Sequence, residues 1–306
     1  MGIVTIKAGD YAAKIHVNRG ANCISLKNTR YEVNILREPP DPERPENPFL
    51  YGMPLLFPVN RIQGGAFLFE GRQYRFPINE PKTNCHIHGF LHDAPFAVTE
   101  QGESFVRCRY DSDDRYRFFP HKFCVEVLYA LSGEGLRQEV SIHNLSEENM
   151  PVFLGFHTTF NIPFAQASSA DGVRIYAEVG DEVERDATSY VPTGKLLPAD
   201  AISESLNTGQ FAPGKTGISK HYKAAGEGKI ELMDMEKQLK ILYRTDAQFG
   251  WRLFFGGGKD FICLEPQTCM VNCQNAAFDR TCTGFDFLAP QTCKTYVSQL
   301  CVETLV

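Results

Sequence analysis

The chain has 306 residues but only one tryptophan, and it contains no CxxC pair. It has no unbroken apolar span of about 18 residues, so no membrane-spanning helix is expected. It also lacks any Lys/Arg block, and its net charge is −6. A nucleic-acid partner, which needs a basic stripe or patch, is therefore not expected. The first residues, MGIVTIKAGDYAAKIHV, alternate polar and apolar and have no apolar secretion-signal core. Ile6 stands where an N-myristoylation signal needs Ser or Thr. The ten cysteines are accordingly expected as reduced thiols in a cytoplasm. Cys269 and Cys273 are spaced CxxxC, with Cys282 further on. A zinc site and a set of small buried hydrophobes both fit that spacing, and the second is the expectation.

Helical periodicity is scarce as well. Runs rich in Val, Ile, Phe, Tyr and Thr recur between Gly, Pro, Asn and Asp clusters, which is the pattern of a large all-β protein. Examples are AFLFEGRQYRF (66–76), KFCVEVLYAL (122–131), RQEVSIHNLS (137–146) and PVFLGFHTTF (151–160). The first reads as a hairpin turning at Glu70-Gly71, and LSGEGL (131–136) reads as a second turn. Residues 36–50 hold five prolines and are expected as an extended surface loop. The stretch 198–229, rich in Gly, Ser, Ala and Lys, is expected to be loop covering one side of the molecule. No fixed-period repeat divides the chain, so residues 1–306 are read as a single domain.

Strand alternation draws attention to two ionisable side chains. In PVFLGFHTTF, His157 shares a face with Phe153, Gly155 and Thr159. In FICLEPQT (261–268), Glu265 shares a face with Phe261 and Cys263, and Pro266 is expected to end the strand. Glutamate is rarely buried unless it is paired or working. From residue type alone, Glu265 is either half of a structural ion pair or a functional carboxylate. His157 is either a structural histidine or a proton-transfer group.

Taken in order, several segments resemble the aldose 1-epimerase (galactose mutarotase) family. FPVNRIQGGAFLFEGRQYRFPIN (57–79) is similar to its N-R-I stretch and hairpin, and NCHIHGF (84–90) to its L-H-G segment. PVFLGFHTTFNIPF (151–164) resembles its P-x-x-x-G-x-H-x-x-F-N motif, and VPTGKLLP (191–198) its P-T-G turn. FICLEPQTCMVNCQNA (261–276) resembles its E-x-Q-T stretch, and TGFDFLAPQT (283–292) its closing strand. The resemblance implies a large antiparallel β-supersandwich with few short helices and a sugar site on the concave face of a sheet. It implies interconversion of the α and β anomers of a free aldose, with a monosaccharide as partner and no metal or cofactor.

By the same match Glu265 is the base and His157 the acid, kept charged near neutrality by the nearby carboxylate. His88, rather than its neighbour His86, and Arg61 are implied as substrate-binding residues, with Asn60 and Gln267 as further candidates. Arg61 is also a candidate ion-pair partner for Glu265. Trp251, in QFGWRLFF, is a candidate for stacking on the sugar, with a core position as its alternative. The chain departs from the family where an I-D-x-x-F segment would carry a sugar-binding aspartate. Here ISKHYKA (218–224) places Ser219 at that position, and Asp246 is a candidate substitute. HGFLH (88–92) resembles the hexose-6-phosphate branch but has Leu91 and His92 where that branch has a phosphate-holding arginine. An unphosphorylated sugar is therefore expected. The protein is expected as a monomer or homodimer, and a phosphosugar mutarotase and a non-catalytic sugar-binding protein on the same fold are the alternative functions.

Overall fold

The structure is a computed structural model that describes residues 2–43, 45–258 and 260–305. Two eight-stranded sheets dominate it. One runs, in spatial order, through Ala97–Gln101, Phe105–Asp111, Phe123–Ser132, Gly135–Asn144, Cys293–Thr304, Leu239–Thr245, Lys229–Asp234 and Val173–Ala177. The other runs through Pro192–Leu197, Val179–Arg185, Gly217–Ala224, Trp251–Gly257, Phe261–Gln267, Gly155–Phe156 and Leu55–Leu56, with Thr158–Asn161 also paired to Phe261–Gln267. A four-stranded sheet built from residues 3–34 flanks them. The ladders in these three sheets are antiparallel. The α-helices among the described residues are short, Ala201–Asn207 and Arg280–Thr283. This is the all-β, antiparallel architecture expected from the alternating runs.

The sheets meet through the residues that alternate away from His157 and Glu265. Thr158 Oγ1 lies 3.0 Å from the Tyr243 hydroxyl of the other sheet, and Phe160 packs on the same ring. Ile262 and Leu264 are buried on that side too. The opposite face, carrying His157 and Glu265, is thereby left free to form a site. The two turns expected from sequence are present. Glu70 and Gly71 take φ of 47° and 78° between the paired strands Ala66–Phe69 and Arg72–Arg75. Ser132 pairs with Gly135 across the second turn.

Two expectations fail. The stretch 198–229 is not a covering loop: its second half, Gly217–Ala224, is an interior strand of the site-bearing sheet. The signal was masked because polar residues alternate along it, while Ile218, His221 and Tyr222 are buried. Pro266 does not end its strand either, since Phe261–Gln267 continues through it. Thr268 N donates to Leu154 O at 2.9 Å, and Thr158 lies opposite Leu264. Strand alternation then puts Pro266 opposite Phe156, where its missing N–H removes a ladder bond. The ladder is interrupted at Phe156 and His157 and resumes at Thr158.

One charged side chain is spent on this frame. Arg252 is 1% exposed, and its guanidinium donates to the carbonyls of Glu178, Ala225 and Lys229. Burial pulls its pKa down to about 10, so it stays charged at neutral pH. Arg252→Met should therefore lower unfolding stability by about 2–4 kcal/mol, because three part-buried carbonyls lose their donor. The exposed Lys195→Met serves as control and should change it by no more than about 0.5 kcal/mol. The difference is read from urea unfolding midpoints.

Candidate active site

The register of the site-bearing sheet brings the polar residues into one row. Leu253 lies opposite Glu265, and His221 opposite Leu253. On the other side Gly155 is opposite Gln267 and Thr158 opposite Leu264, so His157 falls across from Glu265. His157 Nε2 is 3.2 Å from Glu265 Oε1. Glu265 is 1% exposed and His157 is 6% exposed. Gln267 Nε2 donates to Glu265 Oε2 at 3.3 Å, and Asn60 Nδ2 donates to Gln267 Oε1 at 3.2 Å. The chain Asn60–Gln267–Glu265 therefore holds one carboxylate oxygen and leaves Oε1 facing His157. Gly155 makes room for it, because a Cβ there would meet Val59 at 2.4 Å and Gln267 at 3.2 Å.

These groups form the floor of a cavity of about 450 Å³ lined by Phe49, Asn60, Arg61, His88, His157, Arg185, Tyr190, Ser219, Phe255 and Glu265, among others. That volume lies within the usual range for small-molecule sites. Arg61 grips Glu80 through Nε at 2.6 Å and Nη2 at 2.7 Å, and its guanidinium packs over the Tyr190 ring. Arg61 thus pairs with Glu80 and not with Glu265. His88 has φ of 64°, its N–H donates to Asn60 O, and its ring lies 5.5 Å from that of His157. Phe49 packs against both rings.

The protonation states differ from expectation. Burial pushes the Glu265 carboxyl up to about 8, opposed by the Gln267 hydrogen bond and by the charges of Arg185 and Arg61. Burial also pulls His157 down to about 4, so near neutral pH the histidine is neutral and not an imidazolium. Desolvation, which penalises either charge, outweighs the attraction that was expected to hold the ion pair. Between those values the pair carries one proton. His88 is held well below the ordinary histidine range, first by burial and then by His157.

Six of the seven sequence candidates, Glu265, His157, Arg61, His88, Asn60 and Gln267, come together here. The seventh, Trp251, does not. It shares the face of Leu253 and Phe255, but it is 3% exposed and is covered by the 283–285 segment, with Gly284 against its indole Nε1. It takes the core position. The exposed ring of that strand is Phe255, 40% exposed in the cavity wall. His86 lies outside the cavity lining, bonded to Pro77 O and packed on Phe76 and Phe90. Asp246 is engaged elsewhere, accepting from the N–H groups of Gln248 and Val297. Lys220 turns away to Glu182 and Asp200.

Sequence reasoning missed Arg185, Tyr190, Phe255 and the contribution of the proline-rich loop, which delivers Asn47, Phe49 and Leu50 to the cavity. Arg185 donates to the carbonyl of Ser219, and among the described residues it pairs with no carboxylate. Its pKa is lowered by burial and by Arg61. A signal for it existed in the charged run VGDEVER, which leads into the P-T-G turn.

The chain belongs to the aldose 1-epimerase family, whose model matches residues 2–284. It is similar to the uncharacterized protein YihR of Escherichia coli (strain K12), at 29% identity over 90% of this chain and 87% of that protein. It is 27% identical to the galactose mutarotase of Homo sapiens over 48% of this chain and 42% of that one. A galactose mutarotase-like protein from Clostridium acetobutylicum superimposes with a TM-score of 0.93 at 31% identity, covering 99% of this chain and 95% of its own.

The placement of His88 depends on the residue after it. Gly89 has φ of 61°, and a Cβ there would sit 1.8 Å from the Phe57 carbonyl oxygen. Gly89→Ala is expected to cost about 3 kcal/mol or more of stability, because Phe57 and the His88 segment must separate. Gly71→Ala is the control: it has φ of 78° but open space around the Cβ. It should cost only the conformational term of about 1–2 kcal/mol. Thermal unfolding of the two variants separates packing from backbone strain.

Proposed function

We propose that the protein is a mutarotase that opens and recloses the ring of an aldose. The observation that carries this reading is the 3.2 Å approach of His157 Nε2 to Glu265 Oε1 on the floor of a cavity of about 450 Å³. Ring opening needs a proton to leave the anomeric O1 while another reaches the ring oxygen, with the C1–O bond to the ring breaking as C1=O1 forms. Glu265 takes the O1 proton and His157 delivers one to the ring oxygen. The C1–C2 bond then turns, and the roles reverse on closure.

The resting pair already has the right proton count. Moving the single proton from Glu265 to His157 produces carboxylate and imidazolium without exchange with solvent. The charges of Arg185 and Arg61 favour the carboxylate, and sugar hydroxyls that donate to it favour it further. Arg61, already oriented by Glu80, and His88 line the wall and offer hydrogen bonds to ring hydroxyls. Phe255 and Phe49 supply apolar surface for the C–H side of a pyranose.

A second reading is favoured by Arg185. With Glu265 protonated, the formal charges lining the cavity are Arg61, Arg185 and Glu80, which leaves one positive charge uncompensated. An aldose bearing a phosphate or another acidic group would neutralise it.

Polarimetry of freshly dissolved α-glucose and α-galactose tests the main reading. Addition of the protein should accelerate the approach to equilibrium, and Glu265→Gln and His157→Asn should each remove at least about 99% of that acceleration while remaining folded. The absence of acceleration across a panel of free and acidic aldoses would reject the catalytic reading and leave a sugar-binding protein. The pH profile carries a further expectation. kcat/KM should be level between about 5 and 7, fall above about 8 as the pair loses its only proton, and fall below about 4 as it gains a second. A large preference for glucose 6-phosphate over glucose, abolished by Arg185→Gln, would establish the second reading.

A further inference from the structure

Cys263 lies two residues before Glu265 on the same face of the strand Phe261–Gln267, so its side chain projects beside the carboxylate. The three ligand-type atoms of His157, Cys263 and Glu265 all lie within 4.8 Å of one another, and all three residues are buried. Tetrahedral zinc has bonds of about 2.0–2.3 Å, which places neighbouring ligand atoms about 3.3–3.8 Å apart. His157 Nε2 and Glu265 Oε1 are already 3.2 Å apart, and the thiol, within 4.8 Å of both, needs a shift of about 1.5 Å at most. Glu265 Oε1 accepts no hydrogen bond and is aimed into this cluster. The surrounding groups are also those of a metal site. Gln267 holds the other carboxylate oxygen, and Thr159 Oγ1 lies 3.4 Å from Cys263 Sγ.

We propose that His157, Cys263 and Glu265 form a binding site for a zinc-class divalent cation, and that its occupation blocks the acid–base pair. Thiolate, imidazole and carboxylate are a borderline-soft set that suits Zn²⁺ or Co²⁺ and discriminates against Mg²⁺ and Ca²⁺. Binding exchanges protons for metal: the Cys263 thiol and the Glu265 carboxyl each release one proton to solvent, and the resulting two negative charges balance the cation. Three protein ligands leave a fourth position for water on the cavity side. The metal then occupies the lone pairs that Glu265 and His157 would use on the sugar. The inhibitory half of the inference rests on the proposed ring-opening function, whereas the binding half does not.

The experiment uses the full chain carrying Cys282→Ser and Cys293→Ser, because those two thiols are exposed and would bind metal on their own. Titration with Co²⁺ should give one equivalent bound, with thiolate-to-cobalt charge-transfer absorption. Calorimetry with Zn²⁺ should give the same stoichiometry, and Mg²⁺ should give none. Adding Cys263→Ser should abolish the charge-transfer band and weaken Zn²⁺ binding by more than about 100-fold. Adding Glu265→Gln instead should weaken binding while the band of any residual complex persists, which guards against misfolding of one variant. Zn²⁺ should suppress mutarotation reversibly on chelation, and the ratio of rates with and without Zn²⁺ should return towards one with Cys263→Ser. Unchanged affinity in both variants, or cobalt bound without a thiolate band, would overturn the site. Metal binding as described by a protein that rotates no sugar would overturn the proposed function and leave the site standing.

Discussion

The structure depends on a carboxyl group held almost fully buried, 1% exposed, at the floor of its cavity. Glu265 sits in the interior of a sheet, between Leu253 on one side and His157 on the other. A carboxylate there, with one hydrogen bond from Gln267, would carry a desolvation cost of several kcal/mol. The fold answers by leaving the group protonated and giving it a neutral neighbour. Between its two pKa values such a pair holds one proton in a site of low dielectric, where a hydrogen bond from a ligand weighs more than it would in water. The site is therefore costly to stability and useful to chemistry for the same reason.

The residues around the pair limit that cost without cancelling it. Gly155 lets Gln267 lie flat against the floor, and Asn60, itself held in a left-handed conformation, fixes Gln267 in turn. Arg61 is largely neutralised by Glu80 before it faces the cavity, so it serves as an oriented donor more than as a free charge. Among the described residues Arg185 has no such partner and tethers itself through the Ser219 carbonyl. Ser219 occupies the position where the family resemblance led us to expect an acidic side chain. With a serine there, no carboxylate from that position faces the Arg185 guanidinium in the cavity wall.

Much of the frame was legible because strands and tight turns are local. The Glu70-Gly71 hairpin needed only two residues able to take positive φ. Alternation alone put Cys263 and Glu265 on one face, and the ordered motifs supplied His157, His88, Arg61 and Gln267. What was not legible depends on pairing between distant segments. Arg185, Phe255 and Phe49 come from three separate parts of the chain, and only Arg185 has a local signal, the charged run VGDEVER. Trp251 and Phe255 share a strand face, and only the cover from the 283–285 segment makes one core and the other wall. Pro266 was read as a terminator because prolines usually are; in the structure it removes one ladder bond beside His157 and leaves the strand intact. The ionisation of His157 was misread because proximity to a carboxylate was visible in the motif pattern and the depth of burial was not.

That misreading bears on how a reversible proton transfer is arranged. Ring opening and closure are the same reaction in opposite directions, so a catalyst must end with the proton count it began with. Under the proposed ring-opening function, a permanently charged pair would surrender its mutual attraction at each turnover. A neutral pair carrying one proton surrenders less, because charge would form only when hydroxyl groups are present to receive it. The same neutrality leaves lone pairs on Glu265 and His157 beside a thiol, which is the chemistry that a zinc-class cation seeks. In this cavity the features that favour transient charge over permanent charge also favour the ligand that would make the charge permanent.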